Sequence, residues 1–268
     1  MGGAECTLSG KWKLKVERYF KRVIALVLCI GALPFVNNAN ACVRDTVGFT
    51  YGAQARVQAA YLWRGLYAGG ANIQGSVNVG YGGLYADMWW NIGVTDMTFQ
   101  QFQPEVDFSL GFARWGLDIY ALYIHNFNCG FFDFANYADK GNRLELNVRY
   151  TISKKVPLTF AWGTRVAASD CYLNAAGEIV RAYSSYAEIS YTQALRDGWS
   201  VFGAIGVTPW KGCYNPNGAA LQNIEVRIRK DWDLGNRCGL MVQGQLAVSP
   251  MAMVHVINPN ITFGVYLK

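Results

Sequence analysis

The sequence predicts an all-β fold: a single antiparallel transmembrane β-barrel of about twelve strands, following a cleaved signal peptide. Three observations carry this expectation. Segments of about ten residues alternate between apolar and polar side chains, which gives a strand one apolar and one polar face. The connections between them alternate between short turns and long loops. The polar parity of the regular segments holds Gln, Asn, Ser, Thr, Gly, Arg, Asp and Glu but no Lys.

The chain begins with a basic region, Lys11, Lys13, Lys15, Arg18, Lys21 and Arg22, ahead of the apolar run 23–36. Ala39-Asn40-Ala41 then supplies a small-x-small cleavage pattern, so residues 1–41 read as a secretory signal and 42–268 as the barrel. A membrane-anchoring helix is the alternative, but the run is short against the ~20 residues a spanning helix needs, and Pro34 breaks it. The first dozen residues exceed what a signal requires, which points to a translation start downstream of Met1. Lipidation of Cys42 is open, although Ala39 stands where Leu is usual three residues before a lipid-modified cysteine. The chain from Cys42 keeps 18 of 24 Lys and Arg and 16 of 18 Asp and Glu, a net charge of only +2, and no nucleic-acid reading survives. Export permits disulfides, but Cys42, Cys129, Cys171, Cys213 and Cys238 are odd in number, so they cannot all pair internally. With no CxxC spacing and only His125 and His255, neither a zinc-type metal site nor a cofactor is expected.

In order, the first strand is expected over 53–64, with Ala55, Val57, Ala59, Tyr61 and Trp63 on one face and Arg56, Gln58 and Arg64 on the other. The second, 72–81, is the most regular: Ile73, Gly75, Val77, Val79 and Tyr81 against Asn72, Gln74, Ser76, Asn78 and Gly80. The third, 84–92, sets Leu84, Met88 and Trp90 against Asp87, Trp89 and Asn91, and the fourth sets Val106, Phe108, Leu110 and Phe112 against Glu105, Asp107 and Ser109. The fifth, 117–124, alternates less cleanly, with Asp118 and Tyr120 polar. The sixth opposes Leu144, Leu146 and Val148 to Arg143, Glu145, Asn147 and Arg149; the seventh opposes Leu158, Phe160 and Trp162 to Thr159, Gly163 and Arg165. The eighth has Ile189 and Tyr191 against Glu188 and Ser190. The ninth, 199–207, is ambiguous because Phe202 and Ala204 break the rule. Ile224, Val226 and Ile228 against Glu225, Arg227 and Arg229 form the tenth, Leu240, Val242 and Leu246 against Gln243 and Gln245 the eleventh, and 261–267 the twelfth.

Short links at 81–83, 113–116, 153–156, 194–198 and 230–236 alternate with long ones at 66–71, 93–102, 125–141, 168–182, 208–220 and 249–260. Outer-membrane barrels have this asymmetry on an even number of strands. A soluble sandwich or ligand-binding barrel would also alternate, but its polar face would carry Lys and Glu. Here Lys140, Lys154, Lys155, Lys211, Lys230 and Lys268 fall in expected loops, turns or the terminus, and Tyr61, Trp63, Trp90, Trp115, Tyr191, Trp199 and Trp232 cluster near strand ends, as interfacial girdles do.

Tyr61-Leu-Trp-Arg-Gly65, Gln74-Gly-Ser, Gly83-Leu-Tyr-Ala-Asp-Met-Trp89 and Glu105-Val-Asp-Phe108 together resemble the TorF-type family of Gram-negative porins. The resemblance covers about residues 53–125; beyond them there is only barrel periodicity. It implies an outer-membrane, porin-like barrel and names no solute. The chain departs from barrel habit at its end, Tyr266-Leu-Lys268, where an aromatic is usual.

The expected lumen wall collects Arg56, Arg64, Arg143, Arg149, Arg165, Arg227 and Arg229 against Asp87, Glu105, Asp107, Asp118, Glu145, Glu188 and Glu225. Arg64, Glu105, Asp107, Arg143, Glu145 and Arg165 should lie toward the loop end. Two readings stay open: a charged constriction that screens small polar or charged solutes, or charges that pair with each other and fill the lumen. The first gives a porin-like channel in outer-membrane lipid, the second a structural, adhesin or receptor barrel. A lipid hydrolase is the competing class. It would need His125 or His255 as base, and neither has an identifiable serine partner, so no enzyme is expected. Among the loop cysteines, Cys171 and Cys213 are expected to bridge adjacent loops, against a reading in which all stay thiols. Solute and oligomeric state are not legible.

Overall fold

The computed structural model describes residues 48–94, 104–127, 129–134, 141–235, 237–252 and 255–267. The signal peptide, Cys42, Lys140 and Lys268 lie outside the described residues. Along the chain run β1 (Phe49–Gln58), the short β2 (Tyr61–Trp63) and β3 (Leu66–Gly69), β4 (Asn72–Tyr81), β5 (Leu84–Gly93), β6 (Glu105–Arg114), β7 (Leu117–His125), β8 (Arg143–Thr151) and β9 (Leu158–Ala168). After the short β10 (Cys171–Leu173) and β11 (Ile179–Arg181) come β12 (Ser185–Ala194), β13 (Trp199–Thr208), β14 (Ala220–Asp233), β15 (Cys238–Val248) and β16 (Ile257–Leu267).

Twelve of these strands form one closed antiparallel barrel in the order β1-β16-β15-β14-β13-β12-β9-β8-β7-β6-β5-β4. Closure is made by β1, which pairs with β4 through Ala55↔Gly75 and with β16 through Ala55↔Val265. The pairs β2–β3 and β10–β11 are separate hairpins within two of the long connections.

Polarity is inverted relative to a water-soluble domain. Ile73, Val79, Leu110, Leu146, Ile189, Val226 and Phe263 are exposed on the outer wall, while Asn72, Gln74, Asn91, Glu145, Asn147, Asn223 and Thr262 are buried within. Exposed Trp115, Trp199 and Trp232 ring the short-turn end, and Trp162, Trp210 and Tyr183 the loop end. The glycine on the outer parity of β4 has a packing reason: a Cβ on Gly75 would lie 1.9 Å from the ring of its register partner Trp90.

The structure corrects several of the expected elements; the first strand begins at Phe49 rather than 53 and the twelfth at Ile257 rather than 261. The first strand ends at Gln58, not Arg64, and residues 61–69 form the hairpin β2–β3. On β7, Leu122 and Ile124 share the inward parity of Asp118 and Tyr120 and are buried, which is why the alternation was unclear. On β13, inward Phe202 lies 4.1 Å under the Arg227 guanidinium, a use of an aromatic ring that a polar/apolar rule cannot register. The tenth strand extends to Asp233, so Lys230 is a strand residue on the outer parity. Its ammonium bonds the Asp197 carbonyl and lies 5.5 Å from the Trp199 ring and 5.7 Å from that of Trp232, an end-of-strand position from which a lysine reaches the interface.

Leu146 is 54% exposed on the outer wall of β8. Leu146→Arg should cost about 2–4 kcal/mol in urea titrations of refolding into phospholipid vesicles, because a midplane arginine faces hydrocarbon. A cost below about 0.5 kcal/mol would mean that this wall does not face lipid.

Candidate functional site

The site begins with the hairpin that alternation alone disguises as barrel wall. Its tip, Arg64-Gly65, has positive φ at both residues, 49° and 80°. Gly65 is required there twice over, for its backbone and because a Cβ would stand 2.7 Å from Asn223 Oδ1 and 3.0 Å from the Gln222 carbonyl on β14. Asn258 Nδ2 on β16 donates to the Gly65 carbonyl at 3.3 Å. At the other end of the hairpin, Tyr61 donates to Glu105 Oε1 at 2.5 Å and its ring lies 5.6 Å from that of Trp89. The hairpin therefore crosses the lumen, from β5 and β6 on one side to β14 and β16 on the other.

Its central anchor is Arg64. The guanidinium pairs with Glu145 at 2.7 Å, donates to the Tyr214 hydroxyl, and lies 4.8 Å from the Tyr186 ring and 5.3 Å from the Tyr214 ring. Glu145 is fully buried and also takes Arg165 Nε at 3.4 Å and the Tyr214 hydroxyl at 3.1 Å. Tyr214 comes from the connection between β13 and β14, outside the spanning strands. Burial pushes its hydroxyl up to about 12, so it stays protonated and can donate to Glu145 while accepting from Arg64.

On the turn side of the hairpin lie two cavities. A chamber of about 270 Å³ touches the tip and is lined by Trp63, Arg64, Tyr120, Tyr186 and Asn223 among others. A larger one of about 990 Å³ is bounded by Asp87, Asp118, Arg149, Glu188 and Arg227 and by short-turn residues such as Gly116, Lys154 and Gly198. Most charges here are matched. Arg149 meets Asp118 at 2.5 Å, with Tyr85 donating to the same carboxylate at 2.7 Å. Arg227 pairs with Glu225, Arg229 with Asp231 at 2.6 Å, and Tyr186 donates to Glu188 at 2.7 Å.

Of the residues singled out in the sequence, Arg64, Glu145 and Arg165 thus meet in one cluster, and Arg149, Glu188, Glu225, Arg227 and Arg229 gather lower down. Asp107 and Arg143 join neither; Arg56 lies within reach of the Arg227 and Arg229 charges, and its Nε is buried without a hydrogen-bond partner. Tyr61 and Trp63, expected in the aromatic girdle, instead turn inward with the hairpin. Tyr214 and Asp231 were missed, one in a long loop without pattern and the other in what reads as a turn. No bond joins Cys171 to Cys213. Cys171 is held in the β10–β11 register opposite Arg181, whereas the Cys213 amide is tied to Ser184 Oγ at 2.8 Å, so separate anchors position the two. His125 Nδ1 is 2.7 Å from Asn142 Oδ1, and His255 stacks on Tyr67 at 4.1 Å.

No family model matches the chain, and no curated protein matches it in sequence. Among solved structures it is similar to an outer membrane channel from Pseudomonas putida F1, with a TM-score of 0.48 at 12% identity, over 87% of this chain and 99% of that one. It is also similar to OmpF of Salmonella typhi in complex with daunomycin, with a TM-score of 0.37 at 8% identity, over 82% of this chain and 97% of that one. The fold itself rests on the closed strand order.

Removing one member of a buried ion cluster strands the others and costs about 3–5 kcal/mol. Glu145→Ala should therefore destabilise the barrel by about that much in urea-induced unfolding, and Arg64→Ala by less, because Glu145 would keep Arg165 and Tyr214. A double-mutant cycle should return a coupling above about 0.5 kcal/mol between positions 64 and 145; additivity would show that the contact carries no energy.

Proposed function

We propose that the chain is an outer-membrane, porin-like channel for small polar or charged solutes, with the β2–β3 hairpin as its constriction. The observation that carries this reading is the cavity of about 990 Å³, lined by charges of both signs, inside a closed barrel whose outer wall is apolar. Backbone groups in hydrocarbon must all be paired, and a closed sheet does this while keeping a polar interior out of contact with lipid. The resemblance of residues 53–125 to TorF-type porins supports the same reading. The mixed Arg and Asp/Glu lining favours neither sign strongly, and it suits hydrated polar solutes better than apolar ones.

A second reading is favoured by the interlocking of the hairpin with β8, β14 and β16: a filled barrel with a structural, adhesin or receptor role. Planar-bilayer recording separates the two. The parent barrel should show small, discrete conductance steps. A variant with residues 61–69 replaced by a short Gly-Ser link should conduct several-fold more. Silence from both at all voltages would discard the channel and leave the filled barrel.

A further inference from the structure

We propose that the loop end of β5, β6 and β7 holds a hard divalent cation of calcium type, ligated by Asn91, Glu105, Asp107 and Asn126. Asn91 and Glu105 are register partners on adjacent strands and both face inward. Asp107 follows Glu105 by two residues on the same face, and Asn126, immediately after β7, donates Nδ2 to Glu105 Oε2 at 2.6 Å. Four oxygen-bearing side chains are therefore gathered on one patch of wall.

An independent observation that points to a ligand is the state of their oxygens. Asn91 Oδ1, Asp107 Oδ1 and Asn126 Oδ1 are all buried with no hydrogen-bond partner, and the Asn91 and Asp107 side chains are each only 6% exposed. Buried acceptors are normally satisfied, and a buried carboxylate without a counter-charge is costly. Among the described residues no ion pair brings a counter-charge to this patch, and three of its acceptor oxygens are unpaired. Arg143 is, among the described residues, the cation whose charge reaches Asp107. Between them, however, stands Ile124, in register with Asp107 on one side and with Arg143 on the other, inward-facing and 2% exposed. No ion pair links Arg143 to Asp107 among the described residues. Glu145, the next carboxylate along the wall, is already committed to Arg64 and Arg165.

The donor set selects the metal. Two carboxylates and two amide oxygens, with no sulfur or imidazole, suit a hard cation, and calcium accepts such mixed oxygen ligands in irregular geometry with waters completing its shell. The sequence reading expected no metal because it looked for Cys and His spacing; this arrangement arises only when β5, β6 and β7 are laid side by side. With two carboxylates the site should be weak, with a dissociation constant of about 10⁻⁴–10⁻³ M, as in extracellular calcium modules.

The test uses the full barrel refolded in detergent micelles free of lipopolysaccharide, with terbium as the probe and calcium as competitor. Excitation through Tyr61 and Trp89 should give saturable terbium luminescence that calcium reverses. Glu105→Gln and Asp107→Asn should each weaken terbium binding at least tenfold, while Glu178→Gln, in the β10–β11 loop, should leave it unchanged. Asn91→Asp adds a third carboxylate without removing an anchor and should tighten binding several-fold, so the proposal stays testable if the loss variants fail to fold. Absence of saturable luminescence in the parent, unchanged affinity in the folded Glu105→Gln and Asp107→Asn variants, or unchanged affinity in Asn91→Asp would overturn it.

Discussion

Everything in this protein depends on β1 pairing at both edges, with β4 on one side and β16 on the other. A sheet that closes leaves no edge of unpaired backbone, so its outer face can be as apolar as Val57, Leu110 and Phe263 make it. Closure also creates an enclosed interior. Because side chains alternate, every apolar residue sent outward places a neighbour inside, and those neighbours are mostly Gln, Asn, Asp, Glu and Arg. The interior therefore cannot be stabilised mainly by apolar burial. It has to be stabilised by satisfying its own hydrogen bonds and charges.

The β2–β3 hairpin is the chief means by which the loop half does so. Without it, Glu145 would face the lumen with only Arg165 and Tyr214, and Glu105 would lose the Tyr61 hydroxyl. A buried Arg–Glu–Arg cluster adds little stability compared with apolar residues of the same shape, but losing a member is costly, most of all the shared Glu145. That asymmetry suits a positioning role. Arg64 can reach Glu145 only with the hairpin folded inward, and its flat, permanently charged fork also lies against the rings of Tyr186 and Tyr214. The turn half satisfies its charges differently, through pairs within one strand, such as Arg229–Asp231, or between neighbours, such as Arg149–Asp118, which leave the centre open.

The barrel was legible because period-two alternation and alternating link lengths are backbone properties that survive without tertiary knowledge. The hairpin was not. Tyr61-Leu-Trp-Arg continues the alternation of Arg56 and Val57, and a segment folded into a polar lumen carries one polar and one apolar face just as a wall strand does. The Gly65 tip was the available signal, since a glycine at positive φ marks a turn after Arg64. Phe202 misled for a related reason: the rule sorts rings as apolar, but this one serves as a platform for Arg227. Tyr214 left no signal, because its role depends on where a long loop falls relative to Glu145.

On the channel reading, the strength of the Arg64 anchor decides how the pore rests. Moving the hairpin outward exchanges the Arg64–Glu145 contact for hydration of Arg64, while Glu145 keeps Arg165 and Tyr214. The Arg64–Glu145 part of the cost falls near the lower end of the about 3–5 kcal/mol range for breaking buried pairs, and the Tyr61–Glu105 and Asn258–Gly65 hydrogen bonds add to it. Each ~1.4 kcal/mol is a tenfold shift in population, so about 3 kcal/mol leaves the displaced state at roughly one part in a hundred or less. The barrel's width is fixed by its twelve strands and does not vary. On that reading the hairpin sets conduction, and Arg64, Tyr61 and the Gly65 carbonyl together hold it in place.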